Sequence, residues 1–444
     1  MHVVSYVRHH SRSVLARGLA RCRRRVVRKS LGRGLEVLEG RELLSTLAVA
    51  MVQDSDARGL DRALVRAEHR VEARAMDSHA VVGDVLEAGG DHDSARRIGS
   101  STRHGMGRSK QAATVTYYSA DSVSLDGQPV AGWQGIRGAG AKGQSLITGT
   151  SGSNGLLFVG SISGAGVSYS VNVPGASTTS VYGPNNLGGG RLQLVGSYKN
   201  PNYSTSAVKV NGFVYQGTTA DLAAGGGAYR TIDDPGGEFT YVHSTMGGLA
   251  VGNSDGPTAN GLPLGPGKAF IYSLAKNKFV GNVVFPGSLS DTAYGIWHNG
   301  GASYTICGGY SNSVVNNMND QSQPIGQGYL VDYNSATGRF THWTSFTDPA
   351  GVDLATHFQG ISGGRGGVYT LGADSALAGS NNPLQGSLVT VKRKPNGTFG
   401  KGVWVNLNDP GYQGVTSANA VFKNQVVGIV IESTGLNSYQ ATVQ

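Results

Sequence analysis

The sequence predicts an all-β fold, a six-bladed β-propeller that follows a largely unstructured or helical N-terminal arm. Three observations predict it: the composition changes near residue 112, β-branched and aromatic runs alternate with glycine and asparagine turns, and one strand pattern recurs six times. No stretch of the 444 residues reaches the roughly 18 consecutive apolar residues of a membrane-spanning helix. The two cysteines, Cys22 and Cys307, exclude a disulfide scaffold and a thiolate-rich zinc site.

Composition separates an arm from a body. Residues 1–112 contain no Pro, Phe or Trp, whereas residues 113–444 contain all 14 Pro, all 11 Phe and all four Trp. Since a packed core needs such side chains, the body is predicted to fold as the propeller. We divide the arm into a basic export or targeting segment, residues 1–50, and a charged spacer, residues 51–112, that is partly helical or disordered.

Charge divides as unevenly as composition does. Residues 1–45 hold 11 Lys and Arg against three acids, whereas residues 113–444 hold 16 basic and 15 acidic residues. A nearly neutral body lacks the basic surface that phosphate backbones require, so no nucleic acid is expected to bind the folded part. In the spacer, arginines recur every four residues and predict one exposed helix over residues 57–76.

The arm has the order of a secretory signal. A basic run at residues 21–29 precedes a short apolar stretch at residues 43–52, which contains Ala48-Val49-Ala50. Between them, Leu38-Glu39-Gly40-Arg41-Glu42-Leu43-Leu44-Ser45 resembles the LEPR-XLL motif of planctomycete exported and surface proteins, with Gly40 in place of the motif's Pro. The resemblance implies an exported protein, extracellular or on the cell envelope. No transmembrane helix is expected in the mature chain, since no apolar run is long enough. An organellar presequence and a nucleic-acid-binding arm are the alternatives.

The body is a repeat. Six stretches with a similar pattern of small, aromatic and glycine residues lead into strand-like runs, and their starts lie 47 to 65 residues apart. They begin at Trp133, Ser180, Thr240, Ala293, Phe358 and Ala418. Five of the six are followed by two further strand-like runs, which gives four strands per unit at the spacing of propeller blades.

The ends of the chain predict how the ring closes. The sixth unit stops after three strands, and a spare strand at residues 114–118 precedes the first unit. Pairing of these N- and C-terminal strands completes the last blade and removes an exposed sheet edge. Five or seven blades, a pair of β-sandwiches and a β-helix are the alternatives.

The central channel is the predicted position of any site, because the inner strand of every blade approaches one axis. His243, His298 and His357 lie in or beside the first strands of their units. We predict a ligand-binding site at the channel mouth, formed by Tyr182, His243, Trp297, His298 and His357. The histidine spacing matches no metal signature, and neither a nucleophile elbow nor a paired-carboxylate motif is recognisable. No catalytic residue, metal or cofactor is therefore predicted.

These observations favour a non-enzymatic scaffold, a monomer that binds a protein or a glycan at the propeller face. Two alternatives stay open. One is an extracellular polysaccharide-cleaving hydrolase or lyase that uses residues at the channel, and the other is a purely structural envelope component.

Overall fold

A computed structural model describes ten stretches of the chain. They are residues 96–99, 113–120, 123–200, 209–255, 267–312, 326–350, 353–377, 384–408, 416–432 and 435–444. The basic segment with its LEPR-XLL-like stretch, and the helix predicted over residues 57–76, lie outside the described residues. Within them, no helix is both long and apolar enough to cross a membrane.

Strands make up almost all of the regular structure, and most of them belong to five consecutive antiparallel units. The first unit is β5 (Gly132–Gly138), β6 (Ser145–Ser151), β7 (Asn154–Gly160) and β8 (Gly166–Val171). The second is β9 (Thr178–Gly188), β10 (Arg191–Lys199), β11 (Val210–Thr218) and β12 (Ala228–Ile232), with one short helix, α1 (Thr219–Ala223), after β11. The third is β13 (Phe239–Met246), β14 (Leu249–Asp255), β15 (Lys268–Ser273) and β16 (Lys278–Asn282).

The remaining strands continue the same order. The fourth unit is β17 (Ser290–Gly300), β18 (Ser303–Ser311), β19 (Gln327–Asn334) and β20 (Arg339–Phe346). The fifth is β21 (Asp353–Gly363), β22 (Val368–Leu377), β23 (Gln385–Arg393) and β24 (Phe399–Asn406). The last sheet combines β1 (Arg96–Gly99), β2 (Thr114–Ser119), β25 (Ala420–Phe422), β26 (Gln425–Glu432) and β27 (Gly435–Val443). A small hairpin is formed by β3 (Ser124–Leu125) and β4 (Gln128–Pro129).

The prediction of a β-propeller is confirmed, but the predicted six blades are not shown by the sheets of the described residues. The described residues form five sheets of four or more strands, of which three are four-stranded. The second and third units share one eight-stranded sheet because β11 meets β13 in a parallel pair, Val210 with Phe239. There the Val210 N–H donates to the Glu238 carbonyl at 3.1 Å. The last sheet has five strands because β1, from the segment predicted as a helical or disordered spacer, pairs with β2.

The start of the body pairs with the end of the chain. The antiparallel register of β2 and β27 runs from Val115 opposite Val443 to Ser119 opposite Tyr439. At the outer end of this ladder, Thr114 and Gln444 exchange two backbone hydrogen bonds of 2.9 Å. Val115 is buried, so this strand contributes to the core as well as to the ladder.

Loss of this strand should lower the stability of the body. A chain that begins at Gly127 lacks β2 and leaves an edge of β27 unpaired, whereas one that begins at Ala112 keeps it. From the buried area and ladder lost, we expect a melting temperature lower by about 5 °C or more. Differential scanning calorimetry of the two chains measures this. Equal melting temperatures would show that the β2–β27 pairing contributes nothing.

The turns between units also share a short sequence pattern. A residue followed by Pro and a small residue occurs at Pro174-Gly175, Pro235-Gly236, Pro286-Gly287 and Pro349-Ala350. In each case the N–H of the residue before Pro donates to a side chain near the start of the next inner strand. The pairs are Val173 with Thr179 (3.2 Å), Asp234 with Thr240 (3.0 Å), Phe285 with Asp291 (2.9 Å) and Asp348 with Thr356 (3.3 Å). These bonds set where each inner strand begins.

Apolar side chains fill the spaces between neighbouring units. Cys307 of β18 packs with Phe358 of β21 and Leu371 of β22 in one cluster, which Trp297 and Trp404 border. Trp133 of β5 packs with Phe158 of its own unit and with Val427 of β26. Cys307 is thus a buried core residue, and stacked sheets with cores between them hold the inner strands at fixed positions.

Candidate functional site

Each of the first five inner strands has a β-bulge at the same place. The bulge adds one residue that has no partner in the neighbouring strand, and such residues are often turned toward a site. The five bulged residues are Gln134, Tyr182, His243, Tyr294 and Gln359. In the last sheet, Asn419 stands immediately before β25, and all six side chains are at most 3% exposed. We call these six residues the axial ring.

The axial ring surrounds a small cavity to which six strand segments contribute. Four of its members line the cavity, namely Tyr182, His243, Tyr294 and Gln359. Arg137 from β5 and Ala420 from β25 also line it. The cavity volume of about 10 Å³ is close to the space that a single water molecule needs. The inner strands therefore converge on one point, as the propeller geometry predicts.

Small residues after the bulges let neighbouring inner strands approach each other closely. A Cβ on Gly135 would lie 2.1 Å from the carbonyl oxygen of Tyr182, and a Cβ on Gly183 would lie 2.7 Å from that of His243. These distances leave no room for any side chain. Between the last sheet and the first unit, Asn419 Nδ2 donates to the Trp133 carbonyl at 2.7 Å. Direct contacts thus connect the inner segments of different units around the cavity.

His243 lies at the centre of a group of aromatic rings. Its ring centroid is 4.6 Å from that of Tyr294 and 5.3 Å from that of Tyr182. Tyr294 in turn lies 6.2 Å from His357. The two histidines are therefore neighbours of the same tyrosine, although they belong to different units.

Side chains from second strands support the axial ring from behind. His243 Nε2 lies 2.6 Å from Asn253 Oδ1 in β14, and the Tyr182 hydroxyl lies 2.7 Å from Ser197 Oγ in β10. Asn253 Nδ2 lies 3.5 and 3.4 Å from the two carboxylate oxygens of Asp255. Burial raises the pKa of Asp255 to about 7. Gln359 Oε1, by contrast, has no hydrogen-bond partner among the described residues, so it can accept from a group that enters the cavity.

The structure brings three of the five predicted site residues together. Tyr182 and His243 line the cavity, and His357 lies behind Tyr294. His298 lies four residues further along β17 than Tyr294, about 13 Å along a strand, and its Nε2 bonds to the Gly301 carbonyl at 2.9 Å. Trp297 lies in the core between two units, with the Arg137 guanidinium 5.7 Å from its ring.

Five residues of the axial ring or the cavity wall were not predicted as site residues from the sequence: Gln134, Arg137, Tyr294, Gln359 and Asn419. A signal for most of them was present. Four axial residues stand directly before a glycine in the repeated pattern, at Gln134-Gly135, Tyr182-Gly183, Tyr294-Gly295 and Gln359-Gly360. Among the described residues, no group of three or more His, Cys, Asp or Glu side chains is placed to hold a metal ion.

The environment of His357 makes stability depend on pH. Desolvation by burial lowers the pKa of His357 from 6.5 to about 4. Between these values the unfolded chain binds a proton that the folded chain does not, so this residue removes stability as pH falls from 6.5 toward 4. We expect the melting temperature of His357→Gln to fall less than that of the wild type between pH 7 and pH 4.5. Thermal melts at both pH values test this, and identical losses in the two proteins would contradict it.

Comparison with known proteins finds matches among solved structures. No family model and no curated protein matches the chain. Among solved structures, Penicillium chrysogenum α-L-arabinanase complexed with arabinobiose is 11% identical, with a TM-score of 0.42 over 74% of this chain and 97% of that one. The S511A mutant of puromycin hydrolase is 12% identical, with a TM-score of 0.41 over 74% of this chain and 50% of that one. Xylan β-1,4-xylosidase from Bacillus halodurans is 10% identical, with a TM-score of 0.32 over 62% of this chain and 56% of that one.

These three neighbours are enzymes by name, two glycosidases and a hydrolase. They contradict the sequence-based prediction of a non-enzymatic binding scaffold and leave its alternative, an enzyme that acts at the channel. At identities of 10 to 12% and TM-scores of 0.32 to 0.42, the likeness carries no argument about the reaction or the substrate. The activity therefore has to be argued from the residues of this chain.

Proposed function

We propose that the chain is a polysaccharide-cleaving hydrolase whose reactive site is the axial cavity. One observation carries the proposal: a buried imidazole, His243, lies beside a cavity the size of one water molecule, inside the axial ring. An imidazole that is held in place next to a single water can take a proton from it as a general base. Burial removes competing solvent and strengthens the polar contacts around that water.

Each member of the axial ring has a role in this proposal. Water attacks the anomeric carbon, His243 takes the water proton, and the glycosidic C–O bond breaks. The Tyr294 hydroxyl gives its proton to the leaving oxygen, since Tyr294 lines the same cavity as His243. Amides both donate and accept hydrogen bonds, which suits sugar hydroxyls. Gln359, with its unsatisfied Oε1, is the side chain we assign to such a hydroxyl.

The size of the cavity admits the attacking water alone. Its volume of about 10 Å³ is far below the roughly 300–1,000 Å³ of sites that enclose a ligand. We therefore expect the sugar to lie over the cavity rather than inside it.

A lyase is the second candidate, and a specific observation favours it. No Asp or Glu is among the residues that line the cavity, whereas Arg137 is. Hydrolysis of glycosides generally uses two carboxyl groups. Elimination from a uronic acid needs instead a base such as His243 and a cation that neutralises the sugar carboxylate. The two reactions differ in product, since elimination leaves a carbon–carbon double bond and hydrolysis adds water.

A substrate screen tests the proposal. The full chain is incubated with neutral and uronic-acid polysaccharides, and new reducing ends and ultraviolet absorbance from double bonds are measured. Hydrolysis predicts reducing ends without absorbance. Both signals together would replace the hydrolase by the lyase. Absence of both across the panel would overturn the assignment of a polysaccharide-cleaving enzyme.

We further propose that the units form a six-bladed ring closed by β2 and β27. Support comes from the axial ring, to which six inner segments contribute, and from the register of Val115 with Val443. The eight-stranded sheet counts as two blades, since a single parallel pair, Val210 with Phe239, joins its halves. An experimental structure with another number of blades around the axis would refute this.

Export of the chain is also a proposal, based on the basic segment and the LEPR-XLL-like stretch at residues 38–45. A polysaccharide-cleaving enzyme would meet its substrate outside the cell. Cell fractionation tests it, and a protein found only in the cytoplasm would contradict it.

A further inference from the structure

We infer that Asn253 is a positioning residue, which holds His243 in the tautomer with its proton on Nε2 and so makes Nδ1 the basic nitrogen. The carbonyl oxygen of an amide accepts hydrogen bonds and cannot donate them. At 2.6 Å from Asn253 Oδ1, Nε2 of His243 must therefore carry the proton. A neutral imidazole has one N–H, and the lone pair is then on Nδ1.

Asp255 determines which way the Asn253 amide faces. The amide nitrogen of Asn253 is on the side of the Asp255 carboxylate, with Nδ2 3.5 and 3.4 Å from its two oxygens. Above the Asp255 pKa of about 7, its ionised carboxylate attracts the N–H groups and repels the carbonyl oxygen. The opposite orientation would place oxygen against oxygen. The amide is thus held with its oxygen toward His243.

Burial protects the hydrogen bond between His243 and Asn253 from competing water. His243 is 0% exposed and Asn253 is 3% exposed, so bulk water does not compete for Nε2. Both residues lie on paired strands, β13 and β14, whose ladder continues on either side of the bulge at His243 and fixes their separation. A loss of the Asn253 acceptor would leave a buried donor unsatisfied in this tautomer, and the proton would then be free to move to the other nitrogen.

In the second unit, a side chain of the second strand also forms a hydrogen bond with the bulged residue of the inner strand, but the two groups are hydroxyls. Asn253 pairs in register with Tyr241, two residues before the bulged His243. Ser197 pairs with Ser180, two residues before the bulged Tyr182, and its Oγ lies 2.7 Å from the Tyr182 hydroxyl. This second-strand position therefore orients the axial residue in both units. In the third unit it selects the nitrogen that acts as the base.

Nitrogen NMR of histidine-labelled full chain tests the inference without any substrate. The His243 signal is assigned as the one missing in His243→Gln. We expect a protonated Nε2 and an unprotonated Nδ1 in the wild type. Asn253→Leu, which has a similar shape and no acceptor, should lose this tautomer, whereas Asn253→Asp, which keeps an acceptor oxygen, should retain it. Ser197→Ala is the matched control and should leave the His243 tautomer unchanged.

The effect on rate rests on the proposed function. Asn253→Leu should lower kcat about 10- to 100-fold with little change in KM, because Asn253 does not line the cavity. A wild-type proton on Nδ1, or an unchanged tautomer in Asn253→Leu, would overturn the inference whatever the activity. The expected tautomer in a protein that cleaves no polysaccharide would instead refute the proposed function and leave the positioning role intact.

Discussion

Replacement of Gly135 by alanine should be among the most damaging single changes in the body. The new Cβ would lie 2.1 Å from the Tyr182 carbonyl oxygen, 2.5 Å from Thr148 Oγ1 and 2.6 Å from Pro184 Cδ. Two of these atoms belong to the inner strand of the next unit, so relief would require the two strands to separate. We expect a loss of about 3 kcal/mol or more of unfolding free energy, measured by chemical denaturation.

Gly281→Ala is the matched control for this change. Gly281 lies in β16, where a Cβ would meet nothing within 4 Å. The same methyl group should therefore leave stability within about 1 kcal/mol of the wild type. Similar losses in the two variants would mean that close approach at the axis is not what requires glycine at position 135.

Replacement of His243 by glutamine should remove most of the activity that we assign to the axial cavity. Glutamine can still donate to Asn253 Oδ1, the partner of His243 Nε2, but it cannot act as a base near neutral pH. We expect kcat/KM to fall by about 100-fold or more, with the polysaccharide that the wild type cleaves as substrate.

His298→Gln is the matched control for the axial position. His298 belongs to an inner strand as well, but its Nε2 bonds to the Gly301 carbonyl and it does not line the cavity. This variant should keep wild-type activity. Full activity in His243→Gln, at an unchanged melting temperature, would exclude His243 as the base, and equal losses in both variants would indicate a general effect on the fold.

The repeat and its strands could be predicted from the sequence because they depend on local patterns. Runs such as residues 145–150 and 426–430 are bounded by turns and fall at regular spacing. The pairing of β2 with β27 also followed, since a unit that lacks a strand requires a partner. The merging of two units into one sheet did not, because it depends on a single contact between Val210 and Phe239.

The site was harder to predict because one bulge changes the face on which every later side chain lies. Successive residues of a strand point to opposite faces, so an inserted residue reverses the alternation. His243 and Tyr182 occupy bulges, whereas Trp297 and His298 follow the bulge at Tyr294 and lie away from the cavity. Periodicity alone does not reveal a bulge. The glycine after Gln134, Tyr294 and Gln359 does mark it, once the close approach of inner strands is known.

The most direct test of the axial site is a crystal structure of His243→Gln with an oligosaccharide that the wild type cleaves. We expect a sugar ring over the cavity, with a hydroxyl within hydrogen-bond distance of Gln359 Oε1 and the glycosidic oxygen near the Tyr294 hydroxyl. A sugar bound only on the outer strands, for example beside Trp343 of β20, would contradict a reactive site at the axis.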